Sequence, residues 1–110
     1  MQYRKLGRTD LMVSCVGFGA LPFAGLKQNE ADEVLNAALD AGVNFIDTAR
    51  GYRESEELIG NAVGNRRSEF FLATKSRARK ESTATRGFLR NWRLLASFIC
   101  LSPLPARGPA

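Results

Sequence analysis

Histidine is missing from all 110 residues. That removes imidazole as an acid, a base or a metal ligand within this chain. Cysteine is scarce. Cys15 and Cys100 stand far apart with no C-x-x-C neighbour, so neither a zinc signature nor a disulfide framework is encoded. Long hydrophobic runs are also missing. The longest, residues 94–101, is interrupted by Ser97 and falls well short of the ~20 residues of a spanning helix. No membrane partner is expected. With no secretory leader at the N-terminus, the expected compartment is the reducing cytoplasm.

Acid is absent from the end of the chain. Residues 82–110 carry Arg86, Arg90, Arg93 and Arg107 and no Asp or Glu, whereas residues 1–81 hold 12 basic and 11 acidic side chains. Most of the formal charge of +5 therefore sits in the last third. A basic end can mark a nucleic-acid partner, but this one has no dense lysine cluster and no aromatic interleaving beyond Trp92, so none is expected. With 45% hydrophobic and 25% charged residues, the chain reads as one small soluble globular domain.

What is present has a clear order. Tyr3 and Leu6 precede a turn at Gly7-Arg8-Thr9-Asp10, and Leu11, Val13 and Cys15 alternate after it, which predicts a hairpin. Val16-Gly17-Phe18-Gly19 reads as a short buried strand whose glycines allow close approach of a backbone or ligand. "NEADEVLNAALDAG" predicts a helix capped by Asn29, with Ala31, Val34, Leu35, Ala38 and Leu39 as its apolar stripe and Gly42 as its left-handed stop. "VNFID" follows as a strand. "SEELIGNAVG" predicts a second helix, with Ser55 as cap, Glu56 and Glu57 as first-turn charges and Gly64 as its end. "EFFLATK" is a third strand, continuously apolar over residues 70–73, as suits a parallel sheet covered on both faces.

Residues 16–75 thus alternate strand and helix, the pattern of parallel βαβ units with right-handed crossovers. Two architectures fit: an open doubly wound sheet, or part of a (β/α) barrel. The dinucleotide fingerprint G-x-G-x-x-G fails, because Gly17-Phe18-Gly19 leads into Ala-Leu-Pro with no third glycine. Farther on, Phe88, Trp92, Leu95, Ala96 and Ile99 fall at helical spacing, and "SPLPARGPA" has three prolines and no periodicity.

The stretch "GVNFIDTARGYRESEELIG", followed by "FFLATK", resembles the N-terminal part of the aldo-keto reductases over about residues 2–80. The resemblance rests on order: a leading hairpin, a G-F-G strand, an aspartate at a strand end, a tyrosine five residues on and a lysine ending the next strand. It implies a (β/α)₈ TIM-barrel fold whose bottom the hairpin closes. This chain would represent it by the hairpin and about three β/α units. It also implies reduction of aldehydes and ketones, small-molecule carbonyl substrates, with NADPH, less often NADH, bound in extended form. Of the family's catalytic aspartate, tyrosine, lysine and histidine, the first three match Asp47, Tyr52 and Lys75, and the histidine has no counterpart. Gly19, Ala20 and Asp47 match the cofactor side.

The chemistry of those three residues is coherent without the resemblance. Barrel strand ends gather at one face, which would bring Asp47 and Lys75 together with Tyr52 in the loop between them. Reducing a carbonyl requires a proton on its oxygen. Free phenols release protons only near pH ~10, and a neighbouring ammonium eases that release. Tyr52 is then the general acid, Lys75 its tuner and Asp47 the residue that orients Lys75. Leu21, Pro22 and Phe23 are read as loop packing beside the mouth. Glu54, Glu56 and Glu57 are read as helix-start charges, and Arg77, Arg79 and Lys80 as a solvated loop.

The boundary expected from composition lies at residue 81: residues 1–81 are the barrel part, and residues 82–110 a divergent basic tail. The tail's Arg, Pro, Ala and Gly suit an out-of-frame reading of GC-rich codons, so a frameshifted or truncated product is expected. Three strands alone leave a sheet edge unpaired. That supports an alternative: a non-catalytic protein that self-associates or binds a partner through the edge.

Overall fold

The computed structural model describes residues 1–76 together with the short strand at residues 99–100. Two antiparallel strands, β1 (Tyr3–Lys5) and β2 (Met12–Ser14), form the leading hairpin, with Tyr3 opposite Ser14 and Lys5 opposite Met12. Its turn closes through the Leu6 N–H to Leu11 carbonyl bond at 2.9 Å, and Gly7 takes a left-handed φ of 54°. The Thr9 hydroxyl donates to the Leu6 carbonyl at 2.6 Å, locking the same turn.

Strand β3 (Phe18–Gly19) opens the main sheet, followed by helix α1 (Gln28–Asp40), β4 (Phe45–Asp47), helix α2 (Ser55–Val63), β5 (Phe71–Thr74) and β6 (Ile99–Cys100). The four strands run parallel in the order β3-β4-β5-β6. The register pairs Gly19 with Asp47 and Asp47 with Ala73, so β3 and β4 end level and β5 runs one residue farther.

Strand β6 corrects the expectation for the tail. Ile99 was expected on one face of a helix with Phe88, Trp92, Leu95 and Ala96. It lies instead in a strand opposite Ala73, and the other four lie outside the described residues. The open edge of β5 presents backbone groups that require partners, and a β-branched residue suits that edge. Arg77, Arg79 and Lys80 also lie outside the described residues. Among the described residues the sheet therefore has four strands rather than three.

The core lies between helices and sheet. Leu35 from α1, Ile59 and Val63 from α2, Ile46 from β4 and Leu72 from β5 are fully buried. Phe23 packs edge-on against Phe18 with ring centroids 5.3 Å apart, a contact worth about 0.5–1.5 kcal/mol beyond its buried area. Ala31, Leu35 and Leu39 form the inner row of α1 as expected, but Val34 remains 44% exposed, because it lies off that i, i+4 row. The β3 segment is less covered than its apolar residues suggested: Val16 is 57% exposed and Gly19 is exposed.

Both helix starts differ from expectation. Helix α1 begins at Gln28, with Lys27 as its cap, because the Glu30 carboxylate accepts the Lys27 N–H at 2.9 Å. Helix α2 is capped by Glu54, since the Ser55 hydroxyl is turned into the core. Gly42 does stop α1 at φ 93°. Gly64 stays right-handed, and the chain continues through a short 3-10 turn, Gly64–Glu69.

Candidate active site

The hairpin packs at the N-terminal end of β4. There the Tyr3 hydroxyl donates to the Gly42 carbonyl at 2.8 Å, and the Asn44 side chain holds both Met12 and Ser14. Asp47, Tyr52 and Lys75 all lie at the opposite end of the sheet, where the strands end.

Asp47 is the last residue of β4, and Lys75 follows β5 by one residue. The Lys75 ammonium donates to Asp47 Oδ1 at 2.7 Å and to the Thr48 carbonyl at 2.9 Å. Both side chains are about two-fifths exposed. A pair so open to water contributes little stability, about 0.2–1 kcal/mol. Its effect is positional: the ammonium is fixed at the mouth of the sheet. The Tyr52 ring completes the corner, with Lys75 Nζ 5.5 Å from its centroid. Cation and aromatic face attract at that separation.

The loop that carries Tyr52 is tightly wound. The Tyr52 N–H reaches the Ala49 carbonyl at 3.0 Å, and the Ser55 N–H reaches the Tyr52 carbonyl at 2.9 Å. Arg53, the next residue, adopts a left-handed φ of 47°. Such a conformation costs a non-glycine residue about 1–2 kcal/mol, and the turn holds it there.

Gly19 meets the corner from β3. It is exposed, and a Cβ placed on it would meet nothing within 4 Å, so its backbone face is open beside the Asp47–Lys75 pair. Ala20 is fully buried. Its N–H donates to the Asp47 carbonyl at 2.8 Å and its own carbonyl accepts the Ser55 hydroxyl at 3.2 Å. Leu21, 60% exposed, stands at the rim, while Phe23 packs inward. An open backbone next to an ammonium, a carboxylate and a phenol is a donor set that fits the reacting end of a nicotinamide cofactor and a carbonyl. The residues that would hold it are Gly19 and Asp47, with Ala20 beneath.

Sequence reasoning missed the layer under this corner. Thr48 and Ser55, both fully buried, share a hydroxyl–hydroxyl bond of 2.8 Å. Glu56, expected as a helix-start charge, is only 5% exposed and accepts the Thr74 hydroxyl at 2.7 Å. It keeps its place in the first turn of α2. The available signal was the hydroxyl residue directly after β4 and at the end of β5, each facing the polar start of one helix. Among the described residues no cluster of Cys, Asp and Glu is arranged to hold a metal. No helix among them is long and apolar enough to cross a membrane.

Parallel strands joined by helices, a hairpin at one end and a charged corner at the other define a segment of a (β/α) barrel with its strand-end site. The profile of the aldo/keto reductase family matches residues 15–92. The chain is similar to the uncharacterized oxidoreductase YqkF of Bacillus subtilis, 42% identical over 78 residues that cover 69% of this chain and 25% of that protein. It is also similar to the probable voltage-gated potassium channel subunit beta of Oryza sativa subsp. japonica, 44% identical over 82 residues, covering 68% of this chain and 25% of that one. Its structure resembles the apo aldo-keto reductase AKR11C1 from Bacillus halodurans, with a TM-score of 0.67 and 32% identity over 88% of this chain and 34% of the other. The chain belongs to the aldo/keto reductase family, and its described residues form part of that family's TIM-type barrel. It spans about a quarter of the length of the curated relatives it matches.

Proposed function

We propose that this chain carries the proton-delivery corner of an NAD(P)H-dependent reductase of aldehydes and ketones, working in the cytoplasm. The observation that supports it is the Asp47–Lys75 contact of 2.7 Å with the Tyr52 ring against the same ammonium. A bound dinucleotide, NADPH or less often NADH, would supply the hydride, with Gly19, Ala20 and Asp47 as the residues that would hold its reacting end. The Tyr52 hydroxyl gives its proton to the carbonyl oxygen as the carbon accepts the hydride. Lys75 favours the anion left on the phenol, and Asp47 and the Thr48 carbonyl keep Lys75 in place. The family's histidine has no counterpart in this chain.

The test is quenching of NADPH fluorescence by the purified chain, followed by turnover of a simple aldehyde. The expected result is that Tyr52→Phe still quenches but no longer turns over. Absence of quenching at high protein concentration removes the reductase reading for this chain.

A second reading has its own observation. Among the described residues β3 and β6 are the outer strands of an open parallel sheet, and unpaired edges recruit further strands. In that reading the chain self-associates through an edge. Light scattering across a dilution series separates the two: a concentration-dependent dimer without NADPH quenching favours association.

A further inference from the structure

Carboxylates are rarely buried unless paired. Glu56 is buried in the first turn of α2, and its two oxygens reach in two directions. Oε1 accepts the Thr74 hydroxyl at 2.7 Å, and Oε2 lies 3.6 Å from Arg50 Nη1. Both partners adjoin Lys75. Thr74 precedes it in the chain, and the Arg50 N–H donates to the Lys75 carbonyl at 2.8 Å. The lysine's side chain is held separately, by Asp47 and the Thr48 carbonyl. One carboxylate thus braces the residue before Lys75 and the residue bonded to its carbonyl.

We propose that Glu56 is a positioning residue for Lys75: by clasping Thr74 and Arg50 it fixes the backbone from which the Lys75 ammonium reaches Asp47 and Tyr52. The proposal rests on the reading of Lys75 as the tuner of Tyr52, but the clasp itself needs neither cofactor nor carbonyl. Without Glu56 the strand end loosens on both sides, and the ammonium spends more time away from Asp47.

Trace acetylation of the full chain, with per-lysine readout by mass spectrometry, tests this. Glu56→Ala and Thr74→Val are each expected to raise the labelling rate of Lys75 about threefold relative to Lys5 and Lys27, the scale of one lost hydrogen bond. Thr74→Ser, which keeps the hydroxyl, is expected to label as the unsubstituted chain does. A merely structural Glu56 would leave Lys75 moving in step with Lys5 and Lys27, and that result overturns the proposal. So does an unchanged Lys75 rate. If Glu56→Ala does not fold, Thr74→Val, close in shape to threonine, carries the decision. Loss of NADPH quenching removes the reductase reading and leaves this labelling result unaffected, so the two fail separately.

Discussion

Asn44 and Ser14 hydrogen-bond each other reciprocally across 30 residues of sequence. Asn44 Oδ1 accepts the Ser14 N–H at 2.6 Å, and Ser14 Oγ accepts the Asn44 N–H at 3.0 Å. The amide nitrogen of Asn44 also reaches the Met12 carbonyl at 3.0 Å. This clasp ties the hairpin to the entrance of β4. Asn44→Ala removes both side-chain bonds and leaves the Ser14 N–H without its acceptor. The expected loss of stability is about 1–3 kcal/mol. Urea denaturation measures it, and amide exchange at Met12–Ser14 is expected to rise more than exchange in β5. Equal protection in β2 would contradict the clasp.

Buried hydroxyls set the second expectation. Ser55 Oγ bonds both Thr48 Oγ1 and the Ala20 carbonyl, joining β3, β4 and the start of α2. Ser55→Ala leaves the Thr48 hydroxyl buried without this partner, at a cost of about 1–3 kcal/mol. Adding Thr48→Val removes the stranded hydroxyl as well. The double variant is therefore expected to be more stable than the sum of the two single losses predicts, as a thermal-melt cycle will read. Strict additivity would show that the two hydroxyls do not share a bond.

The corner residues were legible because strand ends are legible. An apolar run ending in Asp47, and another ending at Ala73 two residues before Lys75, put both charges at the sheet's end by periodicity alone. The parallel register then paired Asp47 with Ala73. The layer beneath was illegible for a physical reason. Whether Ser55 caps a helix or turns inward depends on a carbonyl at Ala20, 35 residues away. Whether Glu56 is solvated depends on Thr74, 18 residues away. Local preference cannot rank a cap against a tertiary bond. The same competition misassigned Ile99, where the open edge of β5 prevailed over a helical spacing.

Gly42 and Gly25 provide a matched pair. Their φ angles are 93° and 94°, so an alanine at either meets nearly the same backbone penalty. A Cβ on Gly42 would also sit 3.0 Å from Met1 Cβ and from the Tyr3 hydroxyl, whereas at Gly25 it would meet nothing within 4 Å. Gly25→Ala is expected to cost about 1 kcal/mol, and Gly42→Ala more than that. Denaturation midpoints of the two variants compare them directly. Equal losses would mean that the N-terminal residues yield without cost.

Acid sensitivity is expected on the outer side of the helices, at Arg66. Its guanidinium forks onto Glu69, with Nε to Oε1 at 3.0 Å and Nη2 to Oε2 at 2.7 Å, and Nη2 also meets Asp40 Oδ1 at 2.9 Å. The hydrogen bond from Arg66 holds the Glu69 carboxyl below its ordinary value of 4.5. The same pairing raises Arg66 further above the range in which arginine titrates. A carboxyl lowered by folding stabilises the fold above its unfolded value. That contribution disappears as pH falls through the folded value, because the folded and unfolded states then bind the same proton. Glu69→Gln has no such proton to bind. The unsubstituted chain is therefore expected to be the more stable of the two at about pH 7, with the gap closing below about pH 4. Urea midpoints of the pair across that range check it. A gap that stays constant into acid would mean that the fork contributes only packing, because solvent then screens its charge in the folded chain as fully as in the unfolded one.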